Sequence, residues 1–217
     1  VDAAFHPGPE RAILTSAHVV PQVYLSMGVV MSATASLDWV AQMTGRKVPE
    51  LDAEATAFVA AHGPAAAPVF LPCLSGIRTP WNRPDMTGRV TGLHPGVTPA
   101  MLAYATMEGV AFQFADCVAA QQEVGARPER FTVVGGGTRS RLWLRLLSTA
   151  LDRPVSLIDG ADIAGPRGAA RLAAVAAGAP ASVLGEPIAP TGLVSPEMAL
   201  AEAIAPRREA MRAMMMS

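Results

Sequence analysis

The chain has a single lysine, Lys47, in 217 residues, and it lies outside every glycine-rich stretch. A Walker-type phosphate loop needs Gly-Lys-Ser/Thr to reach the terminal phosphates, so that class of nucleotide site is excluded. Cysteine is equally scarce. Cys73 and Cys117 are far apart and have no metal-ligand company, which argues for a reduced, cytoplasmic protein over a disulfide scaffold. Net charge is also small, at -1 with a pI near 6.5, leaving no electrostatic footprint for nucleic acid or an anionic membrane. The stretch 19–37 has no charge, but it contains Pro21, Gln22, Ser26, Gly28, Ser32, Thr34 and Ser36. A membrane-spanning helix needs about 20 predominantly apolar residues, so strands running into a buried helix suit this stretch better. The chain opens at Val1 with neither methionine nor a charged-then-apolar leader, the start expected of a piece of something longer.

Histidines and nucleophiles also fall short of a site. His6, His18, His62 and His94 show none of the short spacings of a zinc centre, and Ser16 and Ser75 lack a Gly-x-Ser-x-Gly context. Carboxylates Asp38, Glu108 and Asp116 fall on expected helices, where they could bind ribose, meet Mg2+-bound water, or merely cap and solvate. No pair among them suggests a glycosidase.

The chain's strongest feature is the run Phe131 to Trp143, an apolar segment that ends in Gly135, Gly136 and Gly137 and opens into a helical pattern near Ser140. Residues without a Cβ allow a positive φ and a close approach to a flat ligand. The free N–H groups of the following helix favour polar or anionic atoms. A dinucleotide fingerprint, Gly-x-Gly-x-x-Gly with an acid roughly 20 residues on, fits less well. Ser140 takes its last glycine position, and Asp159 and Asp162 are loosely placed for a ribose. Glycines packed against an adenosine fit better.

Patterning predicts strands over 11–16 and 22–30, then helices over 31–43 and 49–62, the second stopped by Gly63 and Pro64. A buried strand over 69–74 leads into a long loop, 75–96. Thr98 and Pro99 open the longest helix, to about 124. Strand 131–134, helix 140–151, strand 154–158, a small-residue helix over 165–177 and a helix over 195–204, continuing toward 214, complete the order. This alternation predicts one layered α/β domain over 1–217 with helices on both faces and a partly parallel sheet, able to bury about 70% of its unfolded surface. Arg141, Arg145 and Ser148 share a second side of helix 140–151, whose arginines read as a solvated face in preference to phosphate contacts. Gly168, Ala169, Ala170, Ala173 and Ala174 read as a helix packed closely on its neighbour, leaving room for a base.

Several motifs in register go beyond composition. Phe70-Leu-Pro-Cys-Leu-Ser-Gly-Ile-Arg-Thr-Pro-Trp-Asn-Arg-Pro84, Gly88-Arg-Val-Thr-Gly-Leu93 and Ala105-Thr-Met-Glu-Gly-Val-Ala-Phe112 closely resemble xylulose kinases within the FGGY carbohydrate kinase family. So do Val133 to Ser140, Gly165 to Ala173, Ser16 to Pro21 and Ser36 to Trp39, in the same order. The resemblance covers nearly the whole chain. It implies an actin-like, ribonuclease H-like ATPase domain, the second of two that close around ATP and a sugar. It assigns ATP contacts to Gly135, Gly136, Gly137, Ser140, Thr34 and Asp38. It implies Mg2+ bridging the phosphates, with the sugar site and catalytic aspartate in the preceding half, so that no catalytic residue falls in this chain. Such a piece is expected to be inactive alone. The departures are Thr34 where the family often has glycine, Ile77 where it has glutamate, and Met101 where it has a polar residue. Arg78 reads as a structural residue of its loop. Another FGGY sugar or polyol kinase and a non-catalytic nucleotide-binding module are the competing readings. Hydrophobic residues at 51% leave room for a homodimer.

Overall fold

The computed structural model describes residues 1–216. Strands β1 (Leu14–Ala17) and β2 (Tyr24–Met27) pair antiparallel, Leu14 opposite Met27 and Ala17 opposite Tyr24. They are shorter than their apolar runs because Pro9–Arg11 coils into a 3-10 turn and Gln22 takes a left-handed φ of 61° between them. Helix α1 (Ala33–Thr44) stops at Gly45, whose φ of 67° lets its N–H reach the carbonyls of Ala41 and Gln42. Helix α2 (Val48–His62) starts with half of a capping box, in which the Lys47 N–H donates to the Glu50 carboxylate at 3.1 Å, and it ends at Gly63.

Strand β3 (Val69–Leu71) pairs antiparallel with β4 (Arg89–Thr91), a strand that falls inside the expected loop. The stretch between them is pinned by Thr79. Its hydroxyl accepts from the Val29 N–H at 3.0 Å and donates to the Ala12 carbonyl at 2.9 Å. Ile77 is 4% exposed and joins the core, so an apolar residue serves there in place of a carboxylate. Arg78 is exposed, and its contribution to the loop runs through its carbonyl, which accepts from the Asn82 N–H at 2.6 Å.

Helix α3 (Pro99–Glu123) is the axis of the core. The Thr98 hydroxyl caps it by accepting from the Met101 N–H at 3.3 Å, and the Met101 sulfur accepts from the Thr98 N–H at 3.4 Å. Met101 therefore closes the cap that a polar residue usually closes. Tyr104, Met107, Val110 and Phe112 are buried along it. At Gly109 a Cβ would lie 2.4 Å from the Phe70 carbonyl oxygen, so glycine is what allows α3 to lie directly on β3.

Strand β5 (Phe131–Thr132), helix α4 (Arg141–Leu151), strand β6 (Val155–Ile158), helix α5 (Ala164–Ala176), strand β7 (Pro190–Val194) and helix α6 (Met198–Met216) complete the chain. The β5–β6 pair supplies the parallel part of the sheet, while β7, absent from the sequence pattern, adds antiparallel to β6. On α4, Ser148 is fully buried, its one hydroxyl proton shared between the Arg153 and Val194 carbonyls at 2.9 Å, while Arg141 is exposed and Arg145, 39% exposed, pairs with Glu197 at the surface. Helix α5 buries none of its residues, and a Cβ at Gly165 or Gly168 would meet nothing within 4 Å. Its small side chains therefore lie open instead of packing closely. Helix α6 runs on through Pro206, because Arg207 and Met211 bury against α3 and β3 and outweigh the lost backbone bond.

Candidate functional site

Strand β5 delivers the chain into the glycine turn. The Gly135 N–H donates to the Ala161 carbonyl at 2.8 Å, and its φ of 92° with ψ of −176° is a conformation confined to glycine. The Thr138 hydroxyl donates back to the Gly135 carbonyl at 2.7 Å, fixing a short 3-10 turn over Gly136–Arg139. Ser140 then caps α4, accepting from the Trp143 N–H at 3.0 Å. Within the protein a Cβ at Gly135 or Gly136 would meet nothing within 4 Å, and one at Gly137 would only graze Trp143 at 3.9 Å. Gly135 is required by its backbone. Neither backbone nor packing requires glycine at 136.

A cleft of about 540 Å3 opens between this turn and the first turns of α1 and α2. It brings together Thr34, Asp38, Gly136, Gly137 and Ser140, five of the six residues expected to bind a nucleotide. Leu37, Val48, Pro49 and Trp143 give it an apolar wall. The sixth residue, Gly135, lines a second groove of about 440 Å3, which shares Thr34, Gly136, Gly137 and Trp143 with the first and is otherwise lined largely by apolar side chains of β5, α3 and α4. Thr34 and Asp38 are exposed on α1, while Ser140 is 8% exposed. No acidic side chain occupies the first turn of α1, and the Ser32 side chain does not cap it. The start of α1, which brings Thr34 to the cleft, therefore has neither an acid nor a side-chain cap to offset its positive end.

Sequence reasoning overlooked Asp52. It lines the same cleft one helical turn after Val48, and its Oδ1 accepts from the Ser140 hydroxyl at 2.5 Å. The only signal in the sequence was a carboxylate four residues after an apolar one in the first turns of a helix.

The other candidates resolve into structural parts. Glu108 is 1% exposed and accepts from Arg207 Nε at 2.8 and 3.0 Å and from the Tyr104 hydroxyl at 3.0 Å. Burial pushes its carboxyl above the ordinary range, against the pull of Arg207 and Tyr104. Asp116 takes Arg208 at 2.7 Å and Arg212 at 2.5 Å, both from α6. Neither acid faces the cleft. Cys73 and Cys117 are free and buried, and burial pushes their thiols up to about 11 and about 12, far from thiolate chemistry at neutral pH. His6 bonds Asp2, and the rings of His18 and His94 accept from nearby backbone N–H groups. Among the described residues no group of three or more His, Cys, Asp or Glu side chains could hold a metal ion, and no helix is long and apolar enough to cross a membrane.

Comparison with known proteins gives consistent results. The sequence profile of the FGGY family of carbohydrate kinases, C-terminal domain, matches residues 5–177. The xylulose kinase of Escherichia coli strain K12 is 38% identical over 179 residues, which is 82% of this chain and 36% of that protein. A glycerol kinase of Geobacter sp. strain M21 is 32% identical over 133 residues, 61% of this chain and 26% of that protein. Among solved structures, a xyloylose kinase from Brucella ovis superposes with a TM-score of 0.85 at 34% identity, covering 98% of this chain and 44% of that one. A xylulose kinase from Rhodospirillum rubrum gives 0.76 at 28% identity, covering 94% and 41%. The chain thus spans little more than a third of the curated xylulose kinase it matches. The architecture shared with the solved structures is the actin-like ATPase fold, as the motifs implied.

Proposed function

The chain belongs to the FGGY family of carbohydrate kinases, and on that premise we propose that it is the ATP-binding C-terminal domain of a kinase acting on a ketopentose, with D-xylulose as the first candidate. One observation carries the nucleotide part of this reading. Gly136 forms the floor of a cleft with an apolar wall, yet neither its backbone nor its packing needs glycine. A flat ligand lying on the turn supplies the missing reason.

The chemistry of the lining orients that ligand. Adenine lies against Leu37, Val48, Pro49 and Trp143, and Asp38 is within the same cleft for the ribose hydroxyls. Phosphates avoid the two carboxylates, Asp38 and Asp52, and turn toward Thr34, where the leading N–H groups of α1 favour negative charge. Phosphoryl transfer is largely a matter of positioning and charge stabilisation, so an adenosine wall is half of what the reaction needs. In the complete protein an aspartate of the preceding domain takes the hydroxyl proton as the γ-phosphoryl moves to the sugar, and closure of the two domains excludes water. Mg2+, if it takes part, would be held mainly by the nucleotide and would supply charge neutralisation there, since the described residues of this chain offer no cage of three or more ligating side chains. A cytoplasmic setting, with ATP at hand and both thiols reduced, suits this chemistry.

The similarity to glycerol kinases favours a second reading of the acceptor, in which another sugar or polyol takes the place of xylulose. A coupled ADP-release assay of the full-length protein with xylulose, ribulose, gluconate and glycerol separates the two, with fastest turnover expected on xylulose. Calorimetry of the chain with ADP, ATP and NAD tests the nucleotide reading. Weak binding of ADP and ATP, with no preference for NAD, is expected. Stronger binding of NAD would favour the dinucleotide alternative.

A further inference from the structure

We infer that Asp52 is a specificity-determining residue of the cleft: its free carboxylate oxygen accepts the exocyclic amine of adenine and so selects a 6-amino purine over a 6-oxo purine. This rests on the adenine-nucleotide reading above and goes further, to how the base is told apart.

Donors and acceptors around Ser140 and Asp52 are unequally used. Ser140, the polar side chain at the head of α4, has one hydroxyl proton, and it is spent. A carboxylate only accepts, so the 2.5 Å contact is a donation from Ser140 to Asp52 Oδ1. The same Ser140 oxygen already accepts from the Trp143 N–H at 3.0 Å. Ser140 therefore has no proton left for a base. Asp52 does have capacity left, because its Oδ2 has no hydrogen-bond partner among the described residues. Asp52 and Val48 are one turn apart on the same face of α2, and both line the cleft with Pro49 and Trp143. An acceptor thus stands at the edge of the apolar slot where a purine ring lies. Held by Ser140, it is oriented before any ligand arrives.

The exocyclic amine of adenine supplies a proton to that oxygen. The 6-oxo group of hypoxanthine or guanine sets an acceptor against an acceptor, leaving both unsatisfied in a partly desolvated place. Of the charged side chains lining the cleft, Arg139 lies 3.5 Å from Asp162, which is outside the lining, and Asp38 and Asp52 outnumber it, so phosphates are disfavoured beside Asp52 and the base end of the nucleotide is the end that meets it.

The test is calorimetric titration of the chain with ADP, inosine diphosphate and 2′-deoxyadenosine diphosphate, for the wild type, Asp52→Ala and Asp52→Asn. The wild type should bind ADP about tenfold more tightly than inosine diphosphate, with the 2′-deoxy nucleotide close to ADP. Asp52→Ala should bring ADP and inosine diphosphate to within about twofold, mainly by weakening ADP. Asp52→Asn keeps an acceptor for Ser140 and turns an amide donor toward the base, so its preference should move to inosine diphosphate. This second variant carries the test if Asp52→Ala melts too early to titrate. Equal binding of ADP and inosine diphosphate by the wild type overturns the inference. So does a wild-type preference for the 6-oxo base through its N1–H, or an ADP preference that survives in both variants. An effect of Asp52→Ala that tracks the 2′-hydroxyl assigns Asp52 to the ribose and overturns it too. Failure of the wild type to bind any of the three removes the adenine-nucleotide reading itself, a result distinct from binding without discrimination.

Discussion

Gly109 and Gly136 are the same residue for opposite reasons. At Gly109 a Cβ would collide with the Phe70 carbonyl, because α3 lies directly on β3 in the packed centre of the molecule. At Gly136 a Cβ would meet nothing, because the turn faces an open cleft. The surroundings follow the same division. Between α3 and α6, Glu108 and Arg207 are buried and bonded to each other, and Arg207 also donates to the carbonyls of Ala67 and Pro68, both at 2.8 Å. Beyond the glycine turn, α5 buries nothing. Small residues in the first region are needed by the protein's own packing, and Gly136 in the second is left for a ligand to explain.

The sharpest way to break this comparison is to disturb the packed side. Glu108→Ala strands the buried Arg207 guanidinium and should lower unfolding free energy by about 3–5 kcal/mol, read from urea denaturation. A loss below about 1 kcal/mol would mean that α6 is not anchored there. Next in size is Gly135→Ala, which forces a side chain into the φ 92°, ψ −176° conformation and should destabilise by about 1–3 kcal/mol. Gly168→Ala acts in the opposite sense. In the middle of an exposed helix, with open space around its Cβ, it should stabilise by about 0.5–1 kcal/mol in thermal melts. Destabilisation there would show that α5 packs against something after all.

The smallest effect is on pH dependence. The Arg145 hydrogen bonds hold the Glu197 carboxyl below its ordinary value. A depressed carboxylate contributes stability that is present above its unfolded pKa and is lost as pH falls through the folded one. Both side chains are 39% exposed, so solvent screens the pair and the contribution is modest. Between about pH 5 and pH 3, Glu197→Gln should lose slightly less stability than the wild type. Parallel acid-denaturation curves would show the pair to be inert.

Much of this division was legible in the sequence. Thr98 and Pro99 marked the start of α3, Gly45 and Gly63 marked the ends of α1 and α2, and the triple glycine stood out against the apolar run that leads into it. What stayed hidden depended on partners distant in the chain. Strand β7 is a Pro-Thr-Gly-Leu-Val segment with little strand character of its own, formed because β6 offers it an edge. Helix α6 was expected over 195–204 with a continuation toward 214, and that continuation past Pro206 is held by charges on α3 that the local pattern does not show. The alanines and glycines of α5 suggested tight packing, but small side chains are equally compatible with no packing at all. Asp52 was invisible for the same reason as β7: its partner, Ser140, is 88 residues away.

The central claim is that a nucleotide, not the protein, is the reason for glycine at position 136. Gly136→Leu should leave the melting temperature of the chain nearly unchanged, because a Cβ there meets no protein atom within 4 Å and the side chain leads into the open cleft, and should abolish ADP binding measured by calorimetry on the same sample. Undiminished ADP binding by a folded Gly136→Leu variant would contradict the account directly.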